Sequence, residues 1–273
     1  MKTINPSELS PMQVQMILQT AVAPRPIALA STIDKNGNVN LSPFSFFNLF
    51  SSNPPILIFS PARRVRDNST KDTLHNVLEV PEVVIGNVNF DMVQQVSLSS
   101  TEYETGVDEF IKSGLTKKPS ELVKPPLIAE SPVNFECKVI KVKPLGNEGG
   151  AGNLVICEVL KIHIREEFLN EEGNLDQKKL DLVSRLGGNW YGRTSAETLF
   201  EVPKPLVTKG IGFDQLPSEI RNSKIFTGND LGMLANVEQL PEGNFSADEN
   251  LHLEAQKLLL EGKIEEAWKI LNI

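Results

Sequence analysis

The sequence predicts a mainly β protein: an antiparallel sheet rolled into a closed or partly closed barrel, with a few inserted helices and a C-terminal helical hairpin. Three observations carry this expectation. Short apolar runs rich in β-branched residues and bounded by turn residues recur at 27–33, 56–60, 83–88, 133–143 and 154–164. Asp34-Lys35-Asn36-Gly37-Asn38 separates the first run from Val39-Asn40-Leu41, and its Asn-Gly step supplies the positive φ of a tight hairpin. The last two runs flank the Gly-rich stretch 146–153, which suggests a second, looser hairpin. Antiparallel neighbours with helices between them favour closure, because closure removes exposed sheet edges.

The helices follow from periodicity and punctuation. Residues 72–80 place Leu74, Val77 and Leu78 on one face and stop before Pro81, and 91–99 and 107–113 show weaker versions of the pattern. Past Val202 the character changes. Glu201-Val202-Pro203-Lys204-Pro205 reads as a linker or a turn against the barrel, and 210–242 has little periodicity. Residues 248–260 and 263–271 then give two amphipathic patterns broken at Gly262, the expected helical hairpin. The organisation predicted is a domain over 1–205 and an extension over 206–273. Leu-Glu-Gly-Lys-Ile-Glu-Glu-Ala-Trp in that hairpin resembles one tetratricopeptide unit. Such units need stacked neighbours, so packing on its own barrel or on a dimer partner is the favoured reading.

Composition excludes several classes of function. A net charge of −8, with Arg63, Arg64 and Arg66 as the one basic cluster, argues against nucleic acid as a partner. No apolar run is long enough to span a bilayer and residues 1–10 lack a signal-peptide pattern, so a cytoplasmic location without a membrane partner is expected. Cys137 and Cys157 are too few for a disulfide framework and lack zinc-ligand spacing, which makes them buried free thiols. His75, His163 and His252 show no ligand spacing, no metal site is expected, and the motifs of hydrolases, P-loops and dinucleotide-binding sheets are absent.

Three segments could hold a ligand. Pro24-Arg25-Pro26 opens a strand at a rim or edge, and Ala28, Ala30, Ser31 and Thr32 leave room for a planar ligand or for close packing by a helix. Leu41-Ser42-Pro43-Phe44-Ser45-Phe46-Phe47-Asn48 combines hydroxyls, a carboxamide and three rings in one loop, a mixture suited to a flat heteroaromatic group. Ser60-Pro61-Ala62-Arg63 ends a strand, and Asn68-Ser69-Thr70-Lys71-Asp72-Thr73 opens a helix. Free amides, hydroxyls and Lys71 converge there on a phosphate, or else Asn-Ser-Thr is an ordinary cap beside a solvated lysine.

Read in order, Pro-Arg-Pro-Ile-Ala-Leu-Ala-Ser-Thr (24–32), Asn-Leu-Ser-Pro-Phe-Ser-Phe-Phe-Asn (40–48), Pro-Pro-Ile-Leu-Ile-Phe-Ser (54–60), Lys-Asp-Thr (71–73), Asp-Glu-Phe (108–110), Ser-Pro-Val-Asn-Phe-Glu-Cys-Lys (131–138) and Arg-Leu-Gly-Gly-Asn-Trp-Tyr (185–191) closely resemble the flavin reductase-like family, which includes flavoredoxin-like proteins. The resemblance spans 24–200. It implies an antiparallel split β-barrel that binds FMN near the interface of a homodimer, with NAD(P)H as electron donor. Carried over residue by residue, Ser31 and Thr32 lie along the flavin, and Ser45, Phe46, Phe47 and Asn48 hold the ring and ribityl chain. Arg63, Lys71 and Thr73 meet the phosphate, with Ser60 and Asp72 in the same elements, and Arg185 and Tyr191 close the pocket beside Gly187-Gly188.

The resulting functional expectation is NAD(P)H-dependent flavin reductase-type hydride transfer through flavin N5 to a small-molecule or flavin acceptor. The alternative is an FMN-binding electron carrier without significant NAD(P)H oxidation. No protein base is required, because the flavin carries the redox chemistry. His163, at a strand end, is a candidate to orient a nicotinamide or donate a proton, and an exposed structural histidine is the competing reading.

Overall fold

A computed structural model describes residues 1–205 and 209–273. The chain divides into two units, Met1–Leu199 and Phe200–Ile273. The boundary expected after Pro205 abuts residues 206–208, which lie outside the described residues. In chain order the first unit contains α1 (Pro11–Ala21), β1 (Ala28–Ile33), β2 (Val39–Phe44), β3 (Phe47–Ser52), β4 (Pro55–Phe59), α2 (Asp72–Glu79) and β5 (Glu82–Gly86). It continues with α3 (Val93–Leu98), α4 (Glu109–Ser113), β6 (Lys117–Lys118), β7 (Leu127–Ile128), β8 (Val133–Pro144) and β9 (Asn153–Ile164). It ends with α5 (Gln177–Leu180), β10 (Val183–Arg185) and β11 (Tyr191–Arg193).

Seven strands form one antiparallel sheet in the order β2-β1-β5-β8-β9-β4-β3. Its two edges, β2 and β3, are consecutive in sequence and joined by Ser45 and Phe46 alone. A flat sheet would hold edge strands about 29 Å apart at the usual interstrand spacing. The link from Phe44 to Phe47 reaches about 11 Å at full extension. The sheet must therefore roll until its edges meet end to end, yet no ladder joins β2 to β3 among the described residues.

This arrangement corrects one expectation: 41–48 is not a single aromatic loop but the end of β2 and the start of β3. Pro43 is tolerated because β2 is an edge strand, where a missing N–H costs no ladder bond. The hairpin between β1 and β2 turns at Gly37, with φ of 92°.

Pleating sorts alternate residues to two cores. Inside the roll lie Phe44, Phe59, Ile85, Val155, Cys137 and Cys157, with Leu74 and Val77 of α2 closing one end. The Phe44 and Phe59 rings stand 5.3 Å apart and tilted, tying β2 to β4 across the seam. Outside, Leu29, Leu41 and Val84 pack under Met92, Phe110 and Ile128. Both cysteines are free and fully buried. Burial, reinforced by Glu136, pushes the Cys137 thiol up to about 12.

Glu136 on β8 is a buried carboxylate that pins a loop to the sheet. It accepts the backbone N–H groups of Glu121, Leu122 and Val123 at 2.9, 2.6 and 3.0 Å. His163 Nε2 on β9 lies 2.6 Å from its Oε1. Burial alone would raise its pKa, but the backbone donors and His163 together hold it below the usual glutamate value.

The second unit contains α6 (Ser218–Arg221), α7 (Gly228–Ala235), α8 (Glu249–Leu260) and α9 (Ile264–Leu271). Ile220, Leu234, Ala255, Leu259, Trp268 and Leu271 build its core. The stretch 210–242, which sequence periodicity leaves open, holds α6 and α7, and α7 starts with a reciprocal cap between Thr227 and Asp230. His252 is buried there, bonded to Ser223 Oγ at 2.8 Å and the Ser246 carbonyl at 2.7 Å and stacked on Phe226.

Glu136→Gln should lower the unfolding free energy at neutral pH by about 1–3 kcal/mol, because one carbonyl cannot replace a charged acceptor of three N–H groups. The native pKa is depressed, so the carboxylate's contribution is present above the ordinary glutamate value, about 4.3, and is lost as pH falls through the native one. Denaturant titrations of both proteins from neutral pH to about pH 3 should show the gap closing on acidification. A gap that does not change with pH would remove the ionised carboxylate as its source.

Candidate functional site

The inner face of β2 presents Asn40, Ser42 and Phe44, registered against Thr32, Ala30 and Ala28 of β1. Ala28 and Ala30 are small, and the space above them is taken by Leu74 and Val77 of α2. Close strand–helix packing is therefore what those small residues serve. Three polar contacts register the helix on the strands: Lys71 Nζ donates to Ser42 Oγ at 3.0 Å, Thr73 Oγ1 to Asn40 Oδ1 at 2.7 Å, and Asn76 Nδ2 to Thr32 Oγ1 at 3.1 Å.

At the start of α2 these contacts open into a narrow polar cleft. Ser42, Arg64, Lys71, Asp72, Thr73 and Glu102 line it, with Asn40 and Glu109 behind. Lys71 occupies the N-cap position and no side chain caps the helix, so the first-turn amides add their positive end to the lysine's charge. Its ammonium has the Ser42 hydroxyl and the Phe44 ring, 5.2 Å from the ring centroid. No carboxylate lies within 4.0 Å of it among the described residues. Burial lowers its pKa, Arg64 adds to the effect, and Glu102 and Glu109 oppose it. Glu109, itself partly desolvated and pushed upward, is committed to Asn40 Nδ2 at 2.8 Å and the Leu41 N–H at 2.9 Å.

The Asn-Ser-Thr stretch does not cap α2. Asn68, with a left-handed φ of 58°, takes Arg63 Nε at 2.6 Å and Arg63 Nη2 on its carbonyl at 2.9 Å. Ser69 Oγ accepts Arg64 Nη1 at 2.9 Å. These bonds spread the arginines along a strap that rests on Gly149, where a side-chain carbon would come within 3.0 Å of the Arg64 and Val65 carbonyls.

Beyond the strap lies a larger cavity of about 700 Å³, a volume in the usual range of small-molecule sites. Met12, Gln15, Leu18 and Gln19 of α1 form one wall, and Phe46, Arg63 and Gly150 belong to the others. Arg64 and Glu102 line both spaces. Arg25 anchors the end of α1: its Nη1 donates to the Val22 carbonyl at 2.6 Å and to that of Gln19, and its Nη2 to the Leu186 carbonyl at 3.0 Å.

The residues expected at the site thus separate into groups. Lys71, Asp72 and Thr73 meet in the cleft, and Phe46 and Arg63 line the larger cavity. Ser31 and Thr32 are fully buried on opposite faces of β1, so they do not share one surface. Ser60 Oγ is buried without a partner among the described residues and is covered closely by Gly152. Ser45 receives Arg25 Nε at 3.5 Å, Phe47 packs on the inner core, and Asn48 is exposed with Oδ1 on the Leu49 N–H. Arg185 stacks on Tyr191 at 4.5 Å, and Tyr191 lines a separate small cavity with Phe90 and Arg193. His163 is held by Glu136 and lines none of these cavities.

Ser42 falls within the 41–48 segment expected to meet a ligand, whereas Asn40, Arg64 and Glu102 are given no place at the site by any local pattern. Arg64 and Glu102 meet across 38 residues, a pairing no local pattern reveals. The wall made by α1 did have a signal, since Ser10-Pro11-Met12-Gln13 is a reciprocal cap with proline at the first helical position.

Comparison with known proteins finds relatives of this chain and of its fold. An uncharacterized protein of Halalkalibacterium halodurans is 38% identical over 76% of this chain and 98% of its own length. One from Aquifex aeolicus is 38% identical over 66% and 90%. Among solved structures, component B of nitrilotriacetate monooxygenase from Bacillus cereus superposes with a TM-score of 0.67 at 28% identity, covering 75% of this chain and 98% of that one. The 2-nitrobenzoate 2-nitroreductase of Pseudomonas fluorescens gives 0.64 at 27%, covering 80% and 99%. The profile of the flavin reductase like domain matches residues 21–181, more than half of the chain, and the chain belongs to that family.

Proposed function

We propose that the protein binds FMN and transfers electrons from NAD(P)H through it to a second acceptor. The observation that carries this reading is Lys71: a partly buried ammonium with no carboxylate within 4.0 Å among the described residues, set at the uncapped start of α2. Leaving a cation in that state is costly, and a phosphate is the anion that both the lysine and a helix N-terminus favour. Lys71, Arg64, Ser42 and the first amides of α2 would hold the FMN phosphate. Phe46 and the apolar face of α1 would wall the ring in the adjoining cavity.

When bound, the flavin would supply hydride and electron chemistry that no side chain here provides. The chain's own contribution is positioning and exclusion of water: Arg25 fixes α1 and the Ser45–Phe46 link, and the strap fixes Arg63 and Arg64. Redox enzymes among the neighbours above one-quarter identity support an oxidoreductase. The seam between β2 and β3 supports the split form of the barrel. Homodimerisation is supported by the exposed apolar side chains Leu160, Ile162 and Ile164 along β9 and Leu49 and Phe50 on β3.

Two measurements test the reading. The visible spectrum of the purified protein, mixed in a stopped-flow instrument with NADH or NADPH, should show bound flavin bleaching within seconds. Bound flavin that either nucleotide reduces only slowly would favour an electron carrier, and a colourless protein that takes up no FMN would end the proposal. Lys71→Met should weaken FMN binding by about 1–3 kcal/mol while leaving the ligand-free melting temperature unchanged or higher, since a partly buried charge is removed. Unchanged FMN affinity would take Lys71 out of the site.

A further inference from the structure

Glu102 occupies an unusual place. It lies in the irregular stretch between α3 and α4, and its carboxylate bridges two arginines, Oε1 to Arg64 Nε and Oε2 to Arg66 Nη2, both at 3.0 Å. The bonds from Arg66 and Arg64 hold its pKa below the usual glutamate value. Its side chain is half exposed, and it stands with Arg64 on the wall shared by the polar cleft and the larger cavity.

An anion entering beside Lys71 would therefore meet a carboxylate already seated on the nearest arginine. Two like charges at such separation repel in the partly desolvated cleft. The bonding of Arg64 leaves room for an exchange. Arg64 commits only its Nε edge to Glu102, and its Nη1 stays fixed by Ser69 Oγ at 2.9 Å and the Thr70 carbonyl at 3.1 Å. Two bonds of the guanidinium are thus independent of the carboxylate. Apart from its two arginines Glu102 has few ties: the neighbouring backbone bonds, from the Tyr103 and Val107 N–H groups, are local turns. Thr105 Oγ1 touches Asp72 Oδ1 at a long 3.3 Å. Arg66, far more exposed than Arg64, can retain the released carboxylate in solvent.

From this geometry we propose that Glu102 is a displaceable internal counter-anion, holding Arg64 in the ligand-free protein and yielding it to a phosphate monoester that enters beside Lys71. The inference rests on the reading of the cleft as a phosphate site. It assigns Glu102 a role in discriminating ligands: a neutral analogue leaves it in place, whereas a dianion replaces it. The exchange sets the net affinity for the phosphate below what Lys71 and Arg64 alone would give.

The full-length protein and its Glu102→Gln variant decide the matter through binding of FMN and of riboflavin, which lacks the phosphate, read by flavin fluorescence. The variant should bind FMN about fivefold tighter, the size of a partly exposed ion pair, with riboflavin unchanged. FMN affinity that is unchanged or weaker in the variant overturns the proposal, and so does an equal gain for both flavins. Arg66→Gln, which removes the carboxylate's alternative partner, should instead weaken FMN relative to riboflavin; no change in that ratio counts against the exchange. Inorganic phosphate, read as protection against thermal unfolding, separates this inference from the flavin assignment. If neither protein binds FMN but the variant responds to less phosphate, the flavin reading fails and the counter-anion stands. An identical phosphate response in both proteins sinks the counter-anion whatever the flavin does.

Discussion

A chain constraint governs the first unit. The strands at opposite edges of a seven-stranded sheet are neighbours in sequence, separated by Ser45 and Phe46, and a span of about 29 Å in a flat sheet must shrink to about 11 Å. Rolling encloses the inner core and brings Phe44 onto Phe59 across the seam. It also leaves β2 with a free edge and an inner face that α2 can cover. The helix start that gathers Lys71, Asp72 and Thr73 is thus a by-product of how the sheet closes.

Electrostatics in the cleft divides into committed and uncommitted charge. Glu109 is satisfied by Asn40 and the Leu41 N–H, and Arg63 by Asn68. Arg64 and Glu102 satisfy one another at the rim. Lys71 has no carboxylate within 4.0 Å among the described residues, and burial lowers its pKa against the pull of Glu102 and Glu109.

What could be read from sequence followed the range of the interaction. The Asn36-Gly37 turn, the strands and α2 rest on local rules, and the β1–β2 hairpin stands where those rules put it. Residues 41–48 misled because Pro43 and two serines look like loop chemistry, whereas an edge strand tolerates them. Ser31 and Thr32 are adjacent in the motif and so looked like one surface, but pleating sends them to opposite cores. Asn68-Ser69-Thr70 had the composition of a cap, and two arginines from the preceding turn took its oxygens. Glu102 was invisible, because its role depends on partners brought near only by the rolled sheet.

The position of α1 bears on how such a protein diversifies. The shared family segment begins at residue 21, where α1 ends, while the apolar wall of the larger cavity comes from residues before it. No residue of α1 is fully buried, and Arg25 grips its last turn through main-chain carbonyls that any sequence supplies. Changes at Met12, Gln15 and Leu18 can therefore reshape the cavity wall without disturbing the sheet core.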